Sequence, residues 1–209
     1  MATSLADQLF KQLDGAPLQQ ISQQLGLDPA QTASAVGTAL PLLLGKLGHN
    51  AAQPQGAQSL LGALQRDYAG ADLGSMLGAV LGGGNAAGST TGANGAAILG
   101  HIFGGSQQTA ETQLGQATGL GGQQAGQLLK LLAPLVLAYL SKQFLQQGQA
   151  PAGAAAATDL GALLGQETRA AQQSGVGGLL GSILDQDGDG QLGIGDLLKV
   201  GGSLLGGKR

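Results

Sequence analysis

Apolar residues recur at helical spacing in two separated stretches of the 209-residue chain. Leu40, Leu43, Leu44 and Leu47 fall at i, i+3, i+4 and i+7, and so do Leu128, Leu131, Leu132 and Leu135. Side chains three and four apart share one side of a 3.6-residue turn, so each set predicts an α-helix with a core-facing stripe. The two stretches are also related to each other. Sliding the chain by 93 positions lays residues 21–48 on residues 114–141 without a gap, matching Gly26-Leu27 with Gly119-Leu120, Gln31 with Gln124, Pro41-Leu42 with Pro134-Leu135 and Leu47 with Leu140. The same offset brings Leu9-Phe10 onto Ile102-Phe103, which gives two related helical halves of about sixty residues each.

Punctuation between the apolar stripes is local and readable. Glycine adopts the left-handed conformation that closes a helix, so Gly26 is expected to end one, and Asp28-Pro29 then supplies an N-cap and a first-turn proline for the next. The second copy carries Gly121-Gly122 at that point and is expected to be less well capped. Pro41 and Pro134 stand inside apolar runs, where proline either kinks a helix or opens a new one. Residues 82–95 are too rich in Gly, Ser, Thr and Asn to bury much and read as a linker; residues 146–158 read as a second one. The expected organisation is a first helical half at 1–81, the Gly-rich linker at 82–95, a second helical half at 96–173 and a C-terminal tail at 174–209.

Composition narrows the fold class further. Apolar residues make up 43% of the chain but aromatics only 2%, with 40 glycines, no Trp and no Cys. A core built from Leu and Ala, with few of the β-branched and aromatic residues that favour strands, predicts an all-α protein. The absence of cysteine excludes disulfides, thiolate catalysis and thiolate metal sites. Four of the twelve acids fall in one loop near the C-terminus, and the other eight face nine bases, so the rest of the chain is almost neutral. A charged fraction of 10% leaves a weakly charged surface suited to self-association or to a protein partner. The longest apolar run, residues 131–140, is too short for a membrane span of about twenty residues. Lys208-Arg209 behind Leu204-Leu205 offers too little charge and apolar surface to anchor on a membrane. The start of the chain lacks the basic region and apolar run of a leader, so a cytoplasmic location is expected.

Gly26-Leu27, Ala39-Leu40-Pro41-Leu42-Leu43, Gly56 followed by Leu60-Leu61, the block at 96–104 with His101 inside it, Gly119-Leu120 and Ala133-Pro134-Leu135 together resemble the YidB-like bacterial family, domain of unknown function 937. The resemblance covers roughly residues 4–145. It implies a helical fold and carries no activity, since that family has none assigned.

One segment outside that region carries metal chemistry. Calcium takes six to eight oxygens, which a loop provides when carboxylates alternate along it and the chain then folds back. Asp185, Asp187 and Asp189 stand at positions 1, 3 and 5 of residues 185–196; Gly190 supplies the turn at 6, Gln191 its backbone carbonyl at 7, and Asp196 closes the loop at 12. Gly193 at position 9 has no side-chain oxygen, so water is expected to fill that vertex. Two like charges about 4 Å apart repel by roughly 4 kcal/mol at an effective dielectric near 20, so four carboxylates this close call for a cation. The pattern resembles an EF-hand loop or one half of a dockerin. Asp at position 12, one methylene shorter than the usual Glu, is expected to bind through one oxygen and to admit magnesium. The preceding residues 176–184 contain Gly177, Gly178 and Gly181, each costing a helix about 1 kcal/mol relative to alanine. Calcium is therefore expected to tie that segment to the one containing Leu197-Leu198, turning binding energy into folding energy for the tail.

Other chemistry is sparse. Residues 21–40 and their repeat read as helix, glycine turn, helix, but residues 30–40 contain no Lys or Arg and the equivalent stretch only Lys130, so the charge needed for nucleic-acid phosphates is missing. His49 and His101 have no ligand at metal-binding spacing, and His101 reads as a packed or helix-face residue. No nucleophile, base and acid set stands out. The expected function is a non-enzymatic calcium-binding protein with a structural or interaction role. A rival reading is a calcium-responsive regulator that exposes its Leu-rich tail to a partner; a nucleic-acid-binding helix-turn-helix module is the third.

Overall fold

The computed structural model describes residues 4–81, 94–146, 154–173 and 178, and every regular element among them is helical. In chain order these are α1 (Leu5–Leu13), α2 (Ala16–Leu25), α3 (Pro29–Ala51), α4 (Pro54–Asp67), α5 (Leu73–Leu81), α6 (Gly95–Phe103), α7 (Gln107–Thr118), α8 (Gly122–Gln146) and α9 (Ala154–Gln173), with a 3-10 turn at Gly104–Ser106. The all-α expectation holds throughout the described residues.

Helix ends follow local chemistry. Gly26 takes φ +64° and the Leu27 N–H donates back to the Ser22 carbonyl at 2.9 Å, closing α2. Asp28 Oδ1 then accepts from the Ala30 N–H at 2.8 Å and Pro29 opens α3. In the second stretch Gly119, at φ +71°, closes α7, and α8 begins at Gly122. The cap lost there with Asp28 is partly replaced by Gln124, whose Oε1 accepts from the Gly121 N–H at 3.2 Å. The ends of α2 and α7 are 93 residues apart, as are the starts of α3 and α8. Pro41 and Pro134 both lie inside continuous helices.

The linker boundaries shift. Gly95 is the first residue of α6, capped by Asn94, and lies buried against α8. A proline has no N–H to give the carbonyl four residues back, so Pro134 leaves the Lys130 carbonyl without its helical donor. Gly95 sits against that carbonyl: a Cβ there would come within 2.7 Å of its carbon. Likewise residues 154–158, read above as linker, form the first turn of α9, where Ala156 and Ala157 are buried. Alanine is the strongest helix former and small enough to pack closely, which a reading of that stretch as flexible overlooks.

The long helices α3 and α8 pack against each other at the centre. Leu40, Leu43, Leu44 and Leu47 of α3 and Leu128, Leu131, Leu132 and Leu135 of α8 are all buried, as their spacing predicts. The two stretches do not fold as separate halves. Helices α2 and α4 pack on α3 and also reach α8, α7 packs on α8 and also reaches α3, and α9 lies along α3 and α4, so one continuous core runs through both. Two equivalent positions show how. Gly48 of α3 lets α9 approach so closely that a Cβ would lie 2.6 Å from the Leu164 carbonyl oxygen. Ser141, 93 residues later in α8, is buried, and its hydroxyl lies 2.9 Å from the Tyr68 carbonyl and 3.3 Å from that of Leu64, answering carbonyls at the end of α4. Glu167 of α9 reaches across the molecule to accept the Leu5 N–H at 2.9 Å, fixing the start of α1. Among the described residues no helix is long and apolar enough to cross a membrane.

Candidate functional site

The sequence-predicted metal ligands Asp185, Asp187, Asp189, Gln191 and Asp196 lie outside the described residues, as does the linker at 82–93. Within the described residues the chemistry-bearing side chains gather elsewhere, in a cleft of about 660 Å³ bounded by α3, α4 and α6.

Each wall is one helical face. From α3 come Lys46, His49, Asn50 and, just beyond the helix, Gln53, at i, i+3, i+4 and i+7. Ile98, His101 and Ile102 of α6 face them, and α4 supplies Leu60 and Ala63, with Leu137 of α8 at the floor. The walls are held in place by Asn50, whose Nδ2 donates to the Ile102 carbonyl at 2.8 Å, tying the end of α3 to the end of α6. Tyr68 closes the α4 side; it is buried, and burial raises its phenol well above the ordinary value of 10.0.

The charges in the cleft are unequal in standing. Arg66 and Asp67 pair across two contacts of 3.2 Å, the Arg66 side chain 77% exposed at the rim and that of Asp67, at 19%, set into the wall. Lys46 is different. It is half-buried, burial lowers its pKa, and no carboxylate among the described residues pairs with it. His49, one turn further along α3, has its pKa lowered by burial and then by the nearby Lys46 charge. The cleft can therefore receive negative charge at Lys46 and aliphatic surface along Leu60, Ile98 and Leu137.

The two histidines, unremarkable by spacing in the sequence, line the same cleft although 52 residues separate them. No group of three His, Asp or Glu side chains among the described residues is placed to hold a metal ion. Lys46 was not singled out by the sequence. The available signal was the stripe Lys46, His49, Asn50 and Gln53, a polar face in the half of α3 that is otherwise apolar.

Comparison with known proteins leaves the chemistry open. No curated protein and no solved structure matches the chain. A family model described as a bacterial protein of unknown function, DUF937, matches residues 7–143, which spans all of α2 to α7 and most of α1 and α8. With that match covering well over half of its length, the chain belongs to the DUF937 family of bacterial proteins of unknown function.

Proposed function

We propose that this chain is a non-enzymatic calcium-binding protein with a structural or interaction role, in which calcium held by Asp185, Asp187, Asp189, the Gln191 carbonyl and Asp196 orders the C-terminal tail. The observation that carries this reading is the simultaneous fit of residues 185–196 to the carboxylate positions 1, 3, 5 and 12 and the turn glycine at 6. The use of acids elsewhere supports it. Asp28 and Asp72 sit on helix N-termini and Glu167 on the first N–H of α1, so these carboxylates serve the architecture. The described core is one continuous cluster that includes α9, which packs along α3 and α4. The shared helix ends at an offset of 93 residues support a further reading of the core as two related halves. The weakly charged surface favours a protein partner or another copy of the chain, and the paucity of Lys and Arg disfavours nucleic acid.

Calorimetric titration of calcium into the chelator-treated full chain tests the proposal, run beside a variant carrying Asp185→Asn and Asp189→Asn, with circular dichroism at each end point. The expected result is one-site binding with a gain of helix, both lost in the variant. An absence of binding heat with an unchanged spectrum would reduce the segment to an acidic turn.

A further inference from the structure

We propose that the cleft between α3, α4 and α6 binds a long-chain aliphatic carboxylate, its head group on Lys46 and its chain along the aliphatic floor. The inference is independent of the calcium loop. Its first ground is the placement of Lys46. A lysine on a helix surface normally extends its ammonium into water, yet here the side chain is half-buried in the cleft wall with no carboxylate partner among the described residues. Partial burial costs the Lys46 side chain some of its hydration, and an incoming anion would offset that cost where no carboxylate among the described residues does.

The second ground is the remaining chemistry of the cleft. Arg66 and Asp67 pair with each other, leaving one fixed positive charge with His49 and His101 beside it. One cation matches a monoanion; a phosphate dianion would leave charge uncompensated. Among the other lining residues Leu60, Ala63, Ile98 and Leu137 offer aliphatic surface for the body of the ligand, beside the polar Gln53, Ser59 and Tyr68. Asn50 is partly committed, its amide donating one hydrogen bond to the Ile102 carbonyl. An alkyl chain gains from each methylene it buries against that aliphatic surface. The volume of about 660 Å³ lies in the range usual for small-molecule sites.

The test is calorimetry with dodecanoate, below the concentration at which it forms micelles, against the full chain and three variants. Melting curves first establish that each variant is folded. The wild type is expected to bind one dodecanoate. Lys46→Gln should weaken binding by about ten-fold or more, since a hydrogen bond to a charged group is lost, and Lys46→Arg should restore most of it. Ala97→Phe, which places a ring in the open cleft beside α6, should abolish binding. Dodecanol, with the same chain and no charge, should bind as weakly as dodecanoate binds to Lys46→Gln, and acetate should not bind. The proposal is overturned if dodecanoate gives no binding, if dodecanol binds as tightly as dodecanoate, or if Lys46→Gln and Ala97→Phe leave affinity unchanged.

Discussion

Asp72 shows how much of this molecule is organised by single side chains at helix ends. Its carboxylate accepts the Ser75 hydroxyl and the N–H groups of Gly74 and Ser75, the latter two at 3.0 Å, and these bonds hold its pKa at about 2 instead of 3.8. Because the folded value is depressed, the stabilisation is fully present above the unfolded value near 3.8 and disappears as pH falls toward 2. Asp72→Asn should therefore be less stable than the wild type at pH 6, and the difference in denaturant midpoint should shrink to nothing between about pH 4 and pH 2. A pH-independent difference would place the effect elsewhere. His49 works in the same sense at higher pH: burial favours its neutral form, so protonation below the ordinary value of 6.5 opposes folding. Caps of this kind are legible in a sequence because donor and acceptor lie within three residues, as with Asp28 and Gly26. Ser141 and Lys46 were not legible. Their roles depend on Tyr68 and on the faces of α4 and α6, distant in the chain, and a side chain's own neighbours say nothing of what will meet it.

Pairs of helices owe their separation to small residues. The approach of α9 to α3 runs through Gly48, Leu164 and Thr168, whose hydroxyl lies 3.3 Å from the Gly45 carbonyl. Replacing glycine by alanine inside a helix ordinarily stabilises it by up to about 1 kcal/mol. At Gly48 the sign should reverse, because the added methyl meets the Leu164 backbone, which cannot rotate away; Gly48→Ala should lower stability by roughly 1–3 kcal/mol. Gly62 is the internal control. It lies in α4 with nothing within 4 Å of an added Cβ, so Gly62→Ala should raise stability by about 1 kcal/mol. Denaturant unfolding of the two variants checks both, and equal effects would mean that the α3–α9 approach is not tight. The positions of α3 and α8 could be read from leucine spacing because that signal is strictly periodic. The start of α9 could not, since the alanines around Ala156 fit a flexible segment as readily as a helix when only composition is considered.

The described core is less modular than the 93-residue offset in the sequence suggests. Hydrophobic periodicity tells which face of α3 or α8 is buried but not which helix covers it, so nothing in the sequence distinguishes two separate halves from the continuous core in which α2 and α4 reach α8 as well as α3, and α7 reaches α3 as well as α8. The same limit hid the cleft, which exists only because α3, α4 and α6 meet. Conversely, the proposed calcium ligands could be read from the sequence because they fall within one short segment, residues 185–196. Our proposal is that calcium bound there orders residues 174–209 and leaves α3 and α8 as they are. Hydrogen exchange followed by mass spectrometry, with calcium and with excess chelator, tests it most directly. Slowed exchange across residues 174–209 on adding calcium, with exchange in α3 and α8 unchanged, is the expected result; equal exchange throughout the tail in both conditions would refute ordering by calcium.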